Sequence, residues 1–181
     1  MHLRRAARVV AAGGLIAYPT EAVYGLGCDP RNGAAVMRLL AVKQRPEEKG
    51  LILIAADFEQ LASFVEEVEP ESMAAVHRSW PGPFTWLLPA RPGAPPWLTG
   101  DHETLAVRVT AHPLAAALCR CCGTALVSTS ANRSHQPPAR TATDVRERFG
   151  ADLDYLVPGD CGPEAQPSRI CDARTGRLVR A

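Results

Sequence analysis

Apolar residues in this chain follow two patterns that alternate along it. In some stretches they recur at the helical period, and in others they run nearly unbroken for the length of a strand. The helical period predicts helices over Leu3 to Ala12, where Gly13 is placed to stop it, and over Gly33 to Val42, with Asn32 as cap and Val36, Leu39 and Leu40 on one face. It predicts others over Pro70 to Trp80, with proline in the first turn, and over Pro113 to Cys122. Asp57 and Gln60 read as a capping box for a helix reaching about Val68, and Thr143 reads as the cap of a short helix ending at Phe149. The unbroken runs predict strands at Leu15 to Tyr18, Leu51 to Ala56, Phe84 to Pro89, Leu105 to Val109 and Ala125 to Thr129. Leu51 to Ala56 is apolar on both faces, which puts it at the centre of a sheet. Leu153 to Val157, Ser168 to Asp172 and Leu178 to Arg180 predict short late strands. Arg91 to Gly100, Ser134 to Arg140 and Gly159 to Gln166 read as loops. The expected class is α/β (or α+β), with one twisted sheet flanked by helices. The sheet is mixed because some connections are too short for a helical crossover.

Composition narrows this picture. A chain of 181 residues without a linker suits a single domain over 1–181 with a core of its own. A formal net charge of +1 provides no global field for nucleic acid and leaves room only for a local patch. No apolar stretch is long enough for a bilayer, and the basic N-terminus is followed by an amphipathic pattern rather than a leader. The expectation is a cytoplasmic protein with no membrane contact. Of the six cysteines, Cys119, Cys121 and Cys122 approach a zinc spacing, but no second pair answers them. Buried or half-buried free thiols fit better.

The candidate chemistry is concentrated where polar residues interrupt apolar runs. Both lysines of the chain lie in Lys43-Gln-Arg-Pro-Glu-Glu-Lys49. Three cations between a helix and a buried strand suit a polyphosphate, and they equally suit a solvated helix end. Thr20 and Glu21 follow the first strand, and Ser128, Ser130 and Asn132 end a later one. Each could bind a ligand or only shape a turn. Arg108 sits between Val107 and Val109, where an unpaired guanidinium would be costly. Its partner is a bound anion, Glu21 or Asp101. No phosphate-binding glycine loop, dinucleotide fingerprint, zinc-protease motif or serine-nucleophile motif occurs.

Five motifs, in this order, resemble the YrdC/TsaC family, the threonylcarbamoyl-AMP synthases of tRNA modification. They are Tyr18-Pro-Thr-Glu-Ala-Val-Tyr-Gly-Leu-Gly27, Lys43-Gln-Arg-Pro46, Trp80-Pro-Gly-Pro-Phe-Thr85, Leu105-Ala-Val-Arg-Val109 and Ser128-Thr-Ser-Ala-Asn132. The resemblance covers nearly the whole chain and is closest to the short single-domain bacterial form. It implies a YrdC-like fold with a concave cationic cleft. It also implies a nucleotidyltransferase that joins L-threonine, bicarbonate or CO2 and ATP into threonylcarbamoyl-AMP and pyrophosphate, for the modification of adenosine 37 in tRNAs reading ANN codons. Carried over by position, Thr20, Arg108, Ser128 and Ser168 contact threonine. Lys43, Arg45, Lys49, Thr104, Ser130 and Arg180 contact ATP. Lys43, Arg45, Ser130 and Asn132 surround the reacting centre. The implied cofactor is Mg2+ carried with ATP, with no tightly bound metal or organic group. The implied partners are the downstream threonylcarbamoyl-transferase proteins and, weakly, tRNA or other RNA.

Two other classes share these residues. An RNA-binding module would use Trp80, Trp86 and Trp97 as stacking platforms, although Trp80 and Trp86 lie on apolar periods. A carbamoyl-transfer domain of the kind inside hydrogenase-maturation proteins would bring acylphosphatase-like and zinc-finger portions that this sequence lacks.

Overall fold

The computed structural model describes residues 1–164, 166 and 168–180. Ala165, in the loop expected at 159–166, and Pro167, just before Ser168, lie outside the described residues. Six α-helices, one 3-10 turn (Glu47–Lys49) and nine strands follow one another along the described chain: α1 (His2–Ala11), β1 (Ile16–Pro19), β2 (Tyr24–Gly27), α2 (Gly33–Lys43), β3 (Ile52–Ala55), α3 (Pro70–Arg78), β4 (Phe84–Pro89), α4 (Pro96–Thr99), β5 (Thr104–Val109), α5 (Pro113–Cys122), β6 (Leu126–Ser130), α6 (Ala142–Phe149), β7 (Tyr155–Leu156), β8 (Arg169–Asp172) and β9 (Leu178–Arg180). The strands form one mixed sheet in the order β7-β1-β2-β6-β3-β5-β4-β8-β9, with β3 at its centre, as its two apolar faces require.

Strand alternation sends successive side chains to opposite faces. Ala17, Leu53, Ala55, Val107 and Val127 join the core built against α2 and α3 through Val36, Leu39, Met73 and Val76. Ile16, Tyr18, Ile54 and Leu126 join a second core with Ala6 and Val10 of α1 and Ala115, Leu118 and Cys119 of α5. On this second face the helices cover only part of the sheet. The row Ile54, Leu126 and Arg108 lies beside the helices, and the next row, Ile52, Ser128 and Ala106, faces open cavities.

Four local expectations change. The stretch 57–68 is a series of turns that ends with Val65 bridged to Ala90, not a helix. Asp57 does accept from the Gln60 backbone N–H, but the Gln60 side chain accepts from Ala56 N–H, not from that of Asp57, and donates to the Cys119 carbonyl, which ties the turn to α5. The cap of α6 is Thr141, not Thr143, and Asp144 completes a reciprocal capping box. The 91–100 stretch holds the short helix α4, which starts after Pro95. Finally, Tyr24–Gly27 is a full strand that no apolar run announces.

The cysteines are free thiols: Cys28 and Cys119 are buried, Cys121 is exposed, and the rest are intermediate. Among the described residues no group of three or more His, Cys, Asp or Glu is placed to hold a metal ion, and no helix is long and apolar enough to cross a membrane.

Candidate functional site: a two-lobed cavity

Two adjoining cavities, of about 260 and 250 Å3, open on the uncovered part of the sheet. Arg45, Leu51, Ile52 and Arg180 line both, so they are two lobes of one cleft joined at a waist. It lies over the sheet face, and the strand ends form only part of its rim.

The first lobe brings together Thr20, Arg108, Ser128 and Ser168, with Ser130, Asn132 and Pro138 at one side. Gly25 lies under it. A methyl group there would sit 3.4 Å from Ser128 Oγ and from Thr20 Cγ2, so glycine keeps this part of the lobe open. Ser168 is held by its hydroxyl, 2.8 Å from that of Thr85. Arg108 is buried, with Nη2 3.4 Å from Glu21 Oε2. The other Glu21 oxygen accepts from Thr110 Oγ1 at 2.8 Å and from Ala111 N–H at 3.0 Å. Glu21 is therefore the fixed partner of Arg108, and Asp101 is not. The pairing is incomplete, because Arg108 Nε and Glu21 Oε2 have no hydrogen-bond partner. Such a guanidinium suits a carboxylate ligand.

The second lobe is more apolar. Leu87, Leu98, Ala106, Ile170 and Val179 line it together with Lys49, Thr99, His102 and Thr104. One wall depends on close backbone approach: Gly50 (φ 59°) and Gly100 (φ 58°) abut each other's loops, and a Cβ on Gly100 would fall 2.4 Å from the Glu48 carbonyl oxygen. At the waist, the Arg45 guanidinium is braced by the carbonyls of Gly50, at 2.9 and 3.2 Å, and Lys49, at 3.3 Å. Arg180 donates to the Ser168 carbonyl at 3.2 Å.

Lys43 stands apart from its expected place. It is the last residue of α2, it is buried, and it lies behind the cavity wall rather than in the lining. Its ammonium donates to the carbonyls of Ser130 and Asn132 and to Asn132 Oδ1. Asn132 Oδ1 also accepts from Ser130 Oγ at 2.6 Å, so the Ser130–Asn132 turn closes on the lysine. Burial, and then Arg45, lower the Lys43 pKa from 10.5 to about 8. Burial, and then Arg180, lower that of Arg45; burial, and then Arg108, lower that of Arg180. Three arginines thus line the cleft, with Lys43 behind its wall and Glu21 their one close carboxylate among the described contacts. This is an environment completed by an anion.

Of the residues named from sequence, Thr20, Arg45, Arg108, Ser128, Ser130, Asn132, Ser168 and Arg180 line the first lobe, and Arg45, Lys49, Thr104 and Arg180 line the second. Sequence reading gave no role to Tyr24 or to the apolar wall of the second lobe, and left that of Pro138, which lines the first lobe, open. That wall comes from residues far apart in the chain, and only the flat β2 of Tyr24 had a local signal, its paired glycines. The tryptophans belong to the core, Trp86 inside it and Trp80 and Trp97 packed against it. Each indole N–H is held internally, by the Phe84 carbonyl for Trp80, Ser79 Oγ for Trp86 and the Pro30 carbonyl for Trp97.

Comparison with known proteins gives consistent results. The family model Sua5/YciO/YrdC, described as telomere recombination, matches residues 8–181. The threonylcarbamoyl-AMP synthase of Nitrosococcus oceani is 57% identical over 98% of this chain and 96% of its own length. That of Halorhodospira halophila is 56% identical over 98% and 93%. Among solved structures, Sua5 of P. abyssi complexed with L-threonine is similar at 35% identity and TM-score 0.88, covering 94% of this chain and 50% of that one. E. coli YciO is similar at 25% identity and TM-score 0.87, covering 98% and 87%.

Proposed function

The chain belongs to the Sua5/YciO/YrdC family, and we propose that it is an L-threonylcarbamoyladenylate synthase that supplies the threonylcarbamoyl group of modified tRNA. One observation carries the residue assignment. The four positions proposed for threonine share one lobe, Lys49 and Thr104 share the other, and Arg45 and Arg180 stand where a triphosphate would pass between them.

In this reading the threonine carboxylate takes up the open side of Arg108. Adenosine occupies the apolar lobe, and the phosphates cross the waist. The neutral amine of threonine adds to CO2 and releases a proton, giving a carbamate. A carbamate oxygen then attacks the α-phosphorus of ATP, the bond to the β,γ-phosphates breaks, and pyrophosphate leaves. The nucleophile carries its own negative charge, so no activated serine or cysteine is needed. The protein contributes positioning and charge neutralisation, each charge-assisted contact being worth roughly 1.5–3 kcal/mol. Arg45 and Arg180 neutralise the phosphates, and the Ser130–Asn132 turn sets one wall of the reacting centre. Mg2+ enters as part of the ATP substrate, since hydroxyls, an amide and arginines, and no carboxylate, line the described first lobe. The product is a reactive mixed anhydride for the downstream transferase proteins, and the proposed setting is the cytoplasm.

Calorimetric titration with L-threonine tests the lobe assignment. Saturable binding that is lost in Arg108→Leu supports it. Wild-type protein that takes up no threonine, with or without ATP, would overturn it.

A further inference from the structure

The segment 157–164 runs behind the Thr20–Glu21 turn as a strap, and the sequence reading gave it no role. Cys161 Sγ donates to the Arg140 carbonyl at 3.4 Å, and five further ties hold the strap near the turn and α5. Val157 N–H donates to the Ala17 carbonyl at 2.8 Å, and Tyr24 Oη donates to the Gly159 carbonyl at 2.5 Å. Gly162 N–H donates to the Thr20 carbonyl at 2.9 Å, and Glu164 N–H donates to the Glu21 carbonyl at 3.1 Å. The fifth tie is the His112 ring, whose Nε2 lies 3.0 Å from the Asp160 carbonyl. The fit is close. A Cβ on Gly162 would fall 2.7 Å from the Glu21 carbonyl oxygen, so only glycine lets the strap seat against that turn.

His112 holds two elements at once. It is the N-cap of α5, where Nδ1 accepts from Ala115 N–H at 3.3 Å. An accepting Nδ1 fixes the proton on Nε2, which makes the ring a donor to Asp160. Its backbone N–H donates to Thr110 Oγ1 at 3.2 Å, the hydroxyl that donates to Glu21. His112 is buried and does not line either lobe. It therefore meets Glu21, the partner of Arg108, from two directions: through Thr110, two residues before it in the β5–α5 connection, and through the strap on the other side.

We propose that His112 is a positioning residue for the first lobe. By fixing the strap behind Thr20 and Glu21 it sets the geometry in which Thr20 and Arg108 receive threonine. The inference rests on the threonine reading of that lobe.

Two substitutions separate this role from helix capping. In His112→Asn the amide oxygen replaces Nδ1 as cap, and asparagine is a good N-cap, but the side chain is too short to reach Asp160. In His112→Gln the amide N–H2 can stand in for Nε2 while the cap is weakened. The expected result is a threonine KM raised roughly two- to tenfold in His112→Asn, the size of one lost hydrogen bond. The ATP KM and kcat stay near wild type, and the Gly162 and Glu164 amides exchange faster. His112→Gln keeps a near-wild-type threonine KM and loses thermal stability. Wild-type threonine KM in His112→Asn despite faster strap exchange would overturn the proposal. So would unchanged strap exchange, or equal rises in both KM values that follow the loss of Tm. If wild-type protein itself binds no threonine, the reading of the lobe fails. The exchange measurement still decides whether His112 anchors the strap.

Discussion

The ammonium of Lys43 lies 2.8 Å from the backbone carbonyl of Asn132 and also donates to that of Ser130. With Asn132 Oδ1 at 3.5 Å, its three protons have three acceptors in one turn, distant from α2 in sequence but packed against its last residue. The lysine clamps the wall of the cleft instead of projecting into it. Lys43→Ala is expected to lower turnover roughly ten- to a thousandfold, at 1.4 kcal/mol per decade, because the Ser130–Asn132 turn loses its anchor. Steady-state pyrophosphate release checks this, and near-wild-type release from the variant contradicts it.

The same burial gives a pH dependence. With the Lys43 pKa near 8 in the folded protein and 10.5 as its ordinary value, the native state loses its proton first. Above about pH 8 the amine turns a lone pair toward a carbonyl and the clamp weakens, so turnover should fall there, and Lys43→Arg should move that limb to higher pH. Stability runs the other way. Between about pH 8 and 10.5 the unfolded chain binds a proton that the native chain does not, so the cost of burying the charge fades as pH rises. Denaturant midpoints of wild type, measured against Lys43→Met, should therefore rise across that window. A difference that is flat or falling contradicts the assignment.

Glu21 and Arg108 yield a test in which stability and binding part company. Arg108→Leu removes the cation near Glu21 Oε2 and leaves that oxygen buried and unpaired, so it should destabilise the fold as well as abolish threonine binding. Adding Glu21→Gln removes the orphaned charge. The double variant should regain much of the lost Tm while threonine affinity stays at least about tenfold weak, the loss expected for one charged contact. Recovery of threonine binding in the double variant would show that Arg108 does not hold the carboxylate.

Much of this architecture was readable in the chain, and the exceptions have physical causes. Strands such as Phe84–Pro89 and the helix Pro113–Cys122 fall on their expected residues because each carries an unbroken or periodic apolar pattern. β2 was missed because Tyr-Gly-Leu-Gly has no β-branched run. Its glycines are there for close approach, not for propensity. The helix expected at 57–68 rested on a cap whose glutamine found better partners at Ala56 and Cys119. Arg108 announced itself as a charge inside an apolar strand. The burial of Lys43 could not be read, since its acceptors lie 87 and 89 positions further along the chain.

Gly27 provides a check on the fold itself. A Cβ there would fall 2.3 Å from the Val127 carbonyl oxygen and 2.9 Å from the Tyr18 ring. The obstacle is backbone of the neighbouring β6, which cannot move aside cheaply. Gly27→Ala should cost at least roughly 1–3 kcal/mol, read as a lowered denaturation midpoint with an unchanged slope. A neutral effect would mean that β2 does not lie against β6 as described.

The central claim, that one cleft joins threonine to a nucleotide, is tested most directly by pyrophosphate release from purified protein given MgATP, bicarbonate and L-threonine. The account predicts release that saturates with threonine and stops when either threonine or bicarbonate is left out. Release that is indifferent to threonine, or none with all three present, would contradict it.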